Sequence, residues 1–141
     1  MNTTRQAKAP INADRFNAIL AETTPLAAVL GIRAERIGVG VAWSRITFSA
    51  AVVRALMALV DMCMYAAVLG TTGEDLRALT TNLSITFLRR PPARDLIARC
   101  RLLNRSPEIA VGLIVVYPEG DEDDEAEIVC TSTCTYAFPP D

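Results

Sequence analysis

Apolar and polar positions along the chain repeat at helix-like steps in two stretches and strand-like steps in most of the rest. In "NADRFNAILAET", Phe16, Ile19 and Leu20 fall on one helical face, with Asn12 or Asp14 as N-cap. Pro25 interrupts that pattern, and a second short turn closes at Gly31. "IRAERIGVGVAWSRITFS" reads as two strands broken at Gly38 and Gly40, a hairpin or bulged corner. Residues 51–69 are rich in Ala, Leu and Met without Gly or Pro, which predicts one long helix. It is apolar almost all round, so it is expected to be buried.

After the Gly-rich exit "GTTGED", Leu83, Ile85 and Phe87 alternate with Asn82, Ser84 and Thr86, the period of a half-buried strand. Pro91 and Pro92 make "RRPPARD" a turn. "LIARCRLLNRS" and "EIAVGLIVVY" form a predicted hairpin around Ser106 and Pro107. The acidic loop "PEGDEDDEAE" leads into a last alternating strand, "EIVCTSTCTYAF". Strands on both sides of one apolar helix predict an α+β fold, an antiparallel sheet of five to six strands wrapped around that helix. Residues 1–12 are expected to be loosely held, and 13–141 to form a single domain.

Composition narrows the chemistry. Of 141 residues, 51% are hydrophobic and 21% charged, the profile of a globular domain, and the net charge of -2 argues against nucleic acid or an acidic membrane surface. Histidine is absent, which excludes Ser-His-Asp and Cys-His catalysis and His-ligated zinc or haem. The start, "MNTTRQAKAPINADRF", lacks the apolar core of a secretory signal, and Arg54 and Asp61 interrupt the longest apolar run. The expected location is therefore the cytoplasm, with Cys63, Cys100, Cys130 and Cys134 as free thiols. Cys130 and Cys134 share a strand face, but two thiols make a poor metal site, and no metal is expected.

Asp61, inside "ALMALVDMCMYAAVLG", is the conspicuous residue. An unpartnered buried carboxylate costs several kcal/mol, so it acquires a partner, shifts its pKa or serves chemistry. Helical steps place Arg54, Met57 or Ala58, Asp61 and Tyr65 on one face. Asp61 is the best-placed base for water, and the helix start near Val53 and Arg54 offers free N–H groups to an oxyanion. Two alternatives stand beside this: an ion pair with Arg54 of a second subunit, or a local helix contact. Tyr65, Met57, Met62 and Met64 read either as pocket walls or, more simply, as core. Arg89, Arg90 and Arg94 flank the proline turn, where guanidinium groups suit phosphates, though an exposed Arg-rich turn is the commoner explanation. The acidic run reads as a solvated hairpin tip, since it does not fit a calcium loop.

Three segments in order carry a family resemblance: "TPLAAVLGIRAERIGVGVAWSRITF", "ALMALVDMC" and "TTNLSITFLRRPPARDLIARCRLLNRS". From about Phe16 to Phe138 the chain resembles the hotdog-fold acyl-CoA thioesterases, in particular the PaaI-like type of the phenylacetate pathway. The resemblance implies hydrolysis of small or medium acyl-CoA thioesters, with no cofactor beyond the coenzyme A of the substrate. It implies Asp61 as the catalytic acid and the backbone N–H of Val53, eight residues earlier, as the oxyanion donor. Substrate contacts would come from Arg54, Met57, Tyr65, Thr81, Asn82, Arg89 and Arg90, with Thr81 and Asn82 on the strand beside the site. It also implies a dimer or dimer of dimers in which two subunits share each site. The family usually carries His-Gly-Gly at the helix start, where this chain has Val52, Val53 and Arg54. That departure leaves two rivals: a non-catalytic protein binding acyl-CoA or an acyl carrier, or a structural paralogue locked by an Arg54–Asp61 pair.

Overall fold

Six antiparallel strands form one sheet that curves around a long helix. The structure, a computed structural model, describes residues 7–49 and 52–140, and for residues 52–54 the backbone alone. The elements run α1 (Ala13–Thr23), α2 (Pro25–Val29), β1 (Ile32–Gly38), β2 (Val41–Ile46), α3 (Val52–Thr72), β3 (Leu79–Phe87), β4 (Leu96–Arg105), β5 (Ile109–Pro118) and β6 (Cys130–Ala137), with a 3-10 turn at Glu125–Glu127 in the acidic loop. Strand order in the sheet is β1-β2-β4-β5-β6-β3, which leaves β1 and β3 at the edges.

Local chemistry sets the element ends. The Asn12 side chain accepts from the Arg15 amide, so Asn12 is the cap, and Phe16, Ile19 and Leu20 enter the core as their spacing predicts. Within the stretch expected to be loosely held, Ile11 is also buried, while residues 1–6 lie outside the described residues. Gly38 and Val41 pair across a two-residue turn in which Gly40 takes φ +74, a conformation that favours glycine. The Gly40 amide donates to the Thr71 hydroxyl, which ties this hairpin to the end of α3.

Inward strand positions and most of α3 make the core. Leu56, Leu59, Val60, Met64, Val68 and Leu69 pack against Ile46, Leu96, Ile114 and Val116. The helix passes so close to β1 that a Cβ on Gly70 would lie 2.3 Å from Ile37 Cγ2 and 2.8 Å from the Gly38 carbonyl oxygen. Ala55–Thr72 is long and apolar enough to cross a membrane by length and composition, but 61% of it is buried as the core of this fold.

The expectation of a helix buried on nearly every side needs one correction. Met57, Ala58, Asp61, Met62 and Tyr65 form a stripe that the sheet leaves partly uncovered, and Met57 is 59% exposed. A curved sheet can enclose only part of a cylinder, and the short helices α1 and α2 cover the rest incompletely. Met57 is therefore not core, whereas Met64 is fully buried.

Candidate functional site around Asp61

Asp61 projects from the open stripe of α3 toward the junction of β3 and β6. Its Oδ1 accepts two hydrogen bonds, from the Thr80 hydroxyl at 2.8 Å and from the Tyr136 hydroxyl at 2.8 Å. The Tyr136 hydroxyl also lies 2.9 Å from the Asp61 main-chain carbonyl oxygen. No cation reaches the Asp61 carboxylate among the described residues, and no donor there bonds Oδ2. The acid is thus held by neutral hydroxyls.

A break in the β3 ladder makes this possible. Leu83 pairs with Cys134 and Ile85 with Ser132, which keeps the predicted alternation. Between Thr80 and Asn82 the register shifts: Asn82 pairs with Thr135 and Thr80 with Tyr136, leaving Thr81 as the extra residue. A bulge reverses the parity of the strand, so Thr80 turns inward beside Tyr136 instead of Thr81. The Thr81 hydroxyl bonds the Thr135 carbonyl oxygen at 3.1 Å, and Asn82 is exposed.

Tyr136 is 3% exposed, its ring 6.3 Å from that of Tyr65, which in turn meets Phe16 edge-on at 5.6 Å. Burial, and then the negative charge of Asp61, pushes the Tyr136 phenol well above its ordinary range, so it remains a donor. The same two causes push the Cys134 thiol up to about 12. Tyr65, expected on the face of Asp61, shares that stripe but makes no hydrogen bond to the acid; the tyrosine that does is on β6. One signal in the sequence points there, because an inward tyrosine in a strand must find a partner for its hydroxyl.

Two depressions meet at Asp61 and Thr80. The larger, an open groove of about 520 Å³, is walled by Leu26, Leu30, Ala55, Met57, Ala58 and Leu83. The smaller, about 240 Å³, runs past Thr23, Thr24, Met62, Tyr65 and Tyr136. Met57 and Tyr65, both expected at the site, line different depressions. The backbone of Val52–Arg54 forms the first turn of α3, where N–H groups lack intrahelical partners, but the expected Arg54–Asp61 pair lies outside the described residues.

The arginines of the proline turn lie elsewhere. Arg89 Nε donates to the Ile128 carbonyl oxygen at 3.2 Å, with Glu127 3.7 Å from Nη1. Arg94 holds Asp121 at 2.6 Å and the Glu119 carbonyl oxygen at 3.1 Å. Arg90 is exposed. The turn is thereby stitched to the acidic loop, and Arg89 and Arg94 have partners within the fold.

Comparison with known proteins bears on the fold and the family. Residues 55–125 match the thioesterase superfamily. A crystal structure of a protein assigned as a thioesterase, from Silicibacter sp. TM1040, aligns with a TM-score of 0.80 at 30% identity over 96% of this chain and 97% of that one. The E. coli PaaI protein from the phenylacetic acid degradation operon aligns with a TM-score of 0.75 at 19% identity, covering 91% of this chain and 94% of that one, and shares the fold. A conserved protein from Pseudomonas aeruginosa does so with a TM-score of 0.73 at 22% identity, over 82% and 94%. No curated protein sequence matches. With its six-stranded antiparallel sheet around a central helix, the chain has the hotdog fold of its PaaI-like neighbours and belongs to the thioesterase superfamily.

Proposed function

We propose that the protein hydrolyses acyl-CoA thioesters carrying a small or medium acyl group, with Asp61 as the catalytic carboxylate. The observation that carries this reading is a carboxylate fixed by two neutral hydroxyls, with no cation beside it among the described residues, at the rim of an apolar groove. In the proposed reaction, water adds to the thioester carbonyl carbon while Asp61 takes its proton. The carbonyl electrons move to oxygen, which the Val53 backbone N–H at the helix start stabilises. Collapse re-forms the C=O bond and expels the coenzyme A thiolate, which takes up the proton from Asp61. In the alternative route Asp61 itself attacks, the thiolate leaves, and water cleaves the resulting anhydride. Neither route calls for a metal or a further cofactor.

Val53 and Asp61 lie about 12 Å apart along one helix by its rise per residue, too far to act on one carbonyl. The Val53 of a second copy would complete the site. Edge strand β3, with Leu79 and Phe87 exposed, suits antiparallel pairing with another such strand, giving a dimer that can double again. The groove walls, Met57 included, would take the acyl group. Tyr65 would border the second depression, with Thr81 and Asn82 at the strand start. Arg89 and Arg90 on the exposed turn, and Arg54 at the helix start, are the proposed phosphate contacts. Four buried free thiols suit the reducing cytoplasm.

Replacement of His-Gly-Gly by Val52, Val53 and Arg54 favours a second reading, acyl-CoA or acyl-carrier binding without hydrolysis. Thiol release from a panel of acyl-CoAs, by wild type and Asp61→Asn, separates the two. The hydrolase reading expects release that Asp61→Asn lowers at least about 100-fold without removing it, and equal release by both proteins removes Asp61 from the mechanism. No release, with acyl-CoA raising Tm, supports the binding protein. No release or shift, with subunits parting in Arg54→Ala, supports a structural pair.

A further inference from the structure

We infer that Tyr136, together with Thr80, is a positioning residue that saturates Oδ1 of Asp61 and reserves Oδ2 as the oxygen that meets the substrate. The inference rests on the hydrolase reading and deepens it. An aspartate on a helix face has two free side-chain torsions, and its two oxygens are equivalent until something distinguishes them. Here two hydroxyls from different strands converge on the same oxygen, each at 2.8 Å. The bulge at Thr81 places Thr80 directly opposite Tyr136 in the β3–β6 pairing, so both donors come from one cross-strand pair.

Tyr136 fixes more than an orientation. Its hydroxyl oxygen lies against both the Asp61 carboxylate and the Asp61 carbonyl oxygen, which sets the height of β6 relative to the helix at this residue. Tyr65, itself met edge-on by Phe16, packs at a tilt against the phenol ring. Asp61 borders both depressions, so Oδ2, which no donor among the described residues bonds, is the oxygen left for a water or a thioester carbonyl carbon. Misplacing a reacting group by about 1 Å can cost about 100-fold in rate, so loss of one donor should register in turnover rather than in binding.

The test is steady-state kinetics on the acyl-CoA that wild type cleaves fastest, with Tyr136→Phe, Thr80→Val, Thr80→Ser, Asp61→Asn and the double variant Tyr136→Phe/Asp61→Asn. Tyr136→Phe is expected to lower kcat roughly 10- to 100-fold with KM within about twofold of wild type. Thr80→Val should behave alike, with Thr80→Ser restoring most of the rate. In the Asp61→Asn background, Tyr136→Phe should cost nothing further, because it acts through the carboxylate. A wild-type kcat in Tyr136→Phe, a loss carried by KM, or an equal loss in the Asp61→Asn background overturns the inference while leaving Asp61 catalytic. If Tyr136→Phe does not fold, the Thr80→Val and Thr80→Ser pair decides by the same kcat readout. An inert wild type ends the hydrolase reading and this inference with it.

Discussion

Two charged groups in this fold are partnered in opposite ways. On the outer side of the sheet, Arg45 of β2 gathers three carboxylates: Glu35 of β1, Asp95 at 3.0 Å and Glu119 at 2.8 Å. Its side chain is only 13% exposed, and Asp95 in turn accepts from the Phe48 amide at 2.7 Å. All three carboxylates share the one guanidinium, and the network joins β1 and β2 to the ends of β4 and β5. Among the described residues, Asp61 on the inner side is answered only by hydroxyls, and its second oxygen takes no donor. A cation already held by three carboxylates has little capacity left for a ligand, and an acid that meets only hydroxyls among the described residues retains it beside a groove. On the proposed reading, pairing more than burial would distinguish structural charge from chemical charge here.

The sharpest way to break this contrast is to neutralise each centre in turn. Asp61→Asn keeps the shape and can still accept from Thr80 and Tyr136, so the fold should survive while kcat falls at least about 100-fold. Arg45→Leu should do the reverse. It leaves three carboxylates facing one another and is expected to cost about 3 kcal/mol by urea unfolding, with kcat per folded molecule unchanged. If Arg45→Leu proved inert in stability and Asp61→Asn lowered it instead, the assignments would have to be exchanged.

The sequence showed one half of this contrast better than the other. Asp61 was legible because a charge inside an apolar run is conspicuous, and the helical period placed Met57 and Tyr65 on its face. Elements were legible for the same reason: Phe16, Ile19 and Leu20 at helix spacing, and Leu83, Ile85 and Phe87 alternating. Its partners were not legible. Strict alternation counted back from Leu83 turns Thr81 inward, and only the bulge brings Thr80 there, a feature of pairing between strands distant in sequence. Tyr136 reads as one more inward residue of the last strand until its register against Thr80 is known. The Arg45 cluster was equally hidden, since its carboxylates lie 10, 50 and 74 positions away and only the sheet order assembles them. Local periodicity reports faces, whereas partners belong to tertiary register.

A smaller effect probes the packing that holds the helix between these two regions. Gly70→Ala adds one methyl group where α3 crosses β1, with backbone as well as a side chain in the way. Overpacking of this kind is expected to cost about 2 kcal/mol, outweighing the better helix propensity of alanine, and to appear as a lower Tm. Asp61 lies more than two turns away, so kcat should be spared if the site depends on its hydroxyl clamp more than on the far end of the helix.

The smallest effect separates the members of the outer cluster. The Phe48 amide, and then Arg45, holds the Asp95 carboxyl below the ordinary aspartate value of 3.8. A folded-state pKa lowered in this way adds stability above the unfolded value, which is lost as pH falls through the folded value. The contribution is therefore complete at neutral pH and fades only below about pH 4. Asp95→Asn should flatten that part of the acid limb when Tm is followed from pH 5 to pH 2. Arg45→Leu should flatten it less, because the substitution leaves the Phe48 backbone N–H in place on Asp95. Should Arg45→Leu remove the acid dependence as completely as Asp95→Asn, the ion pairs and not the amide would be the principal tie, and the β2 end would be fastened by charge alone.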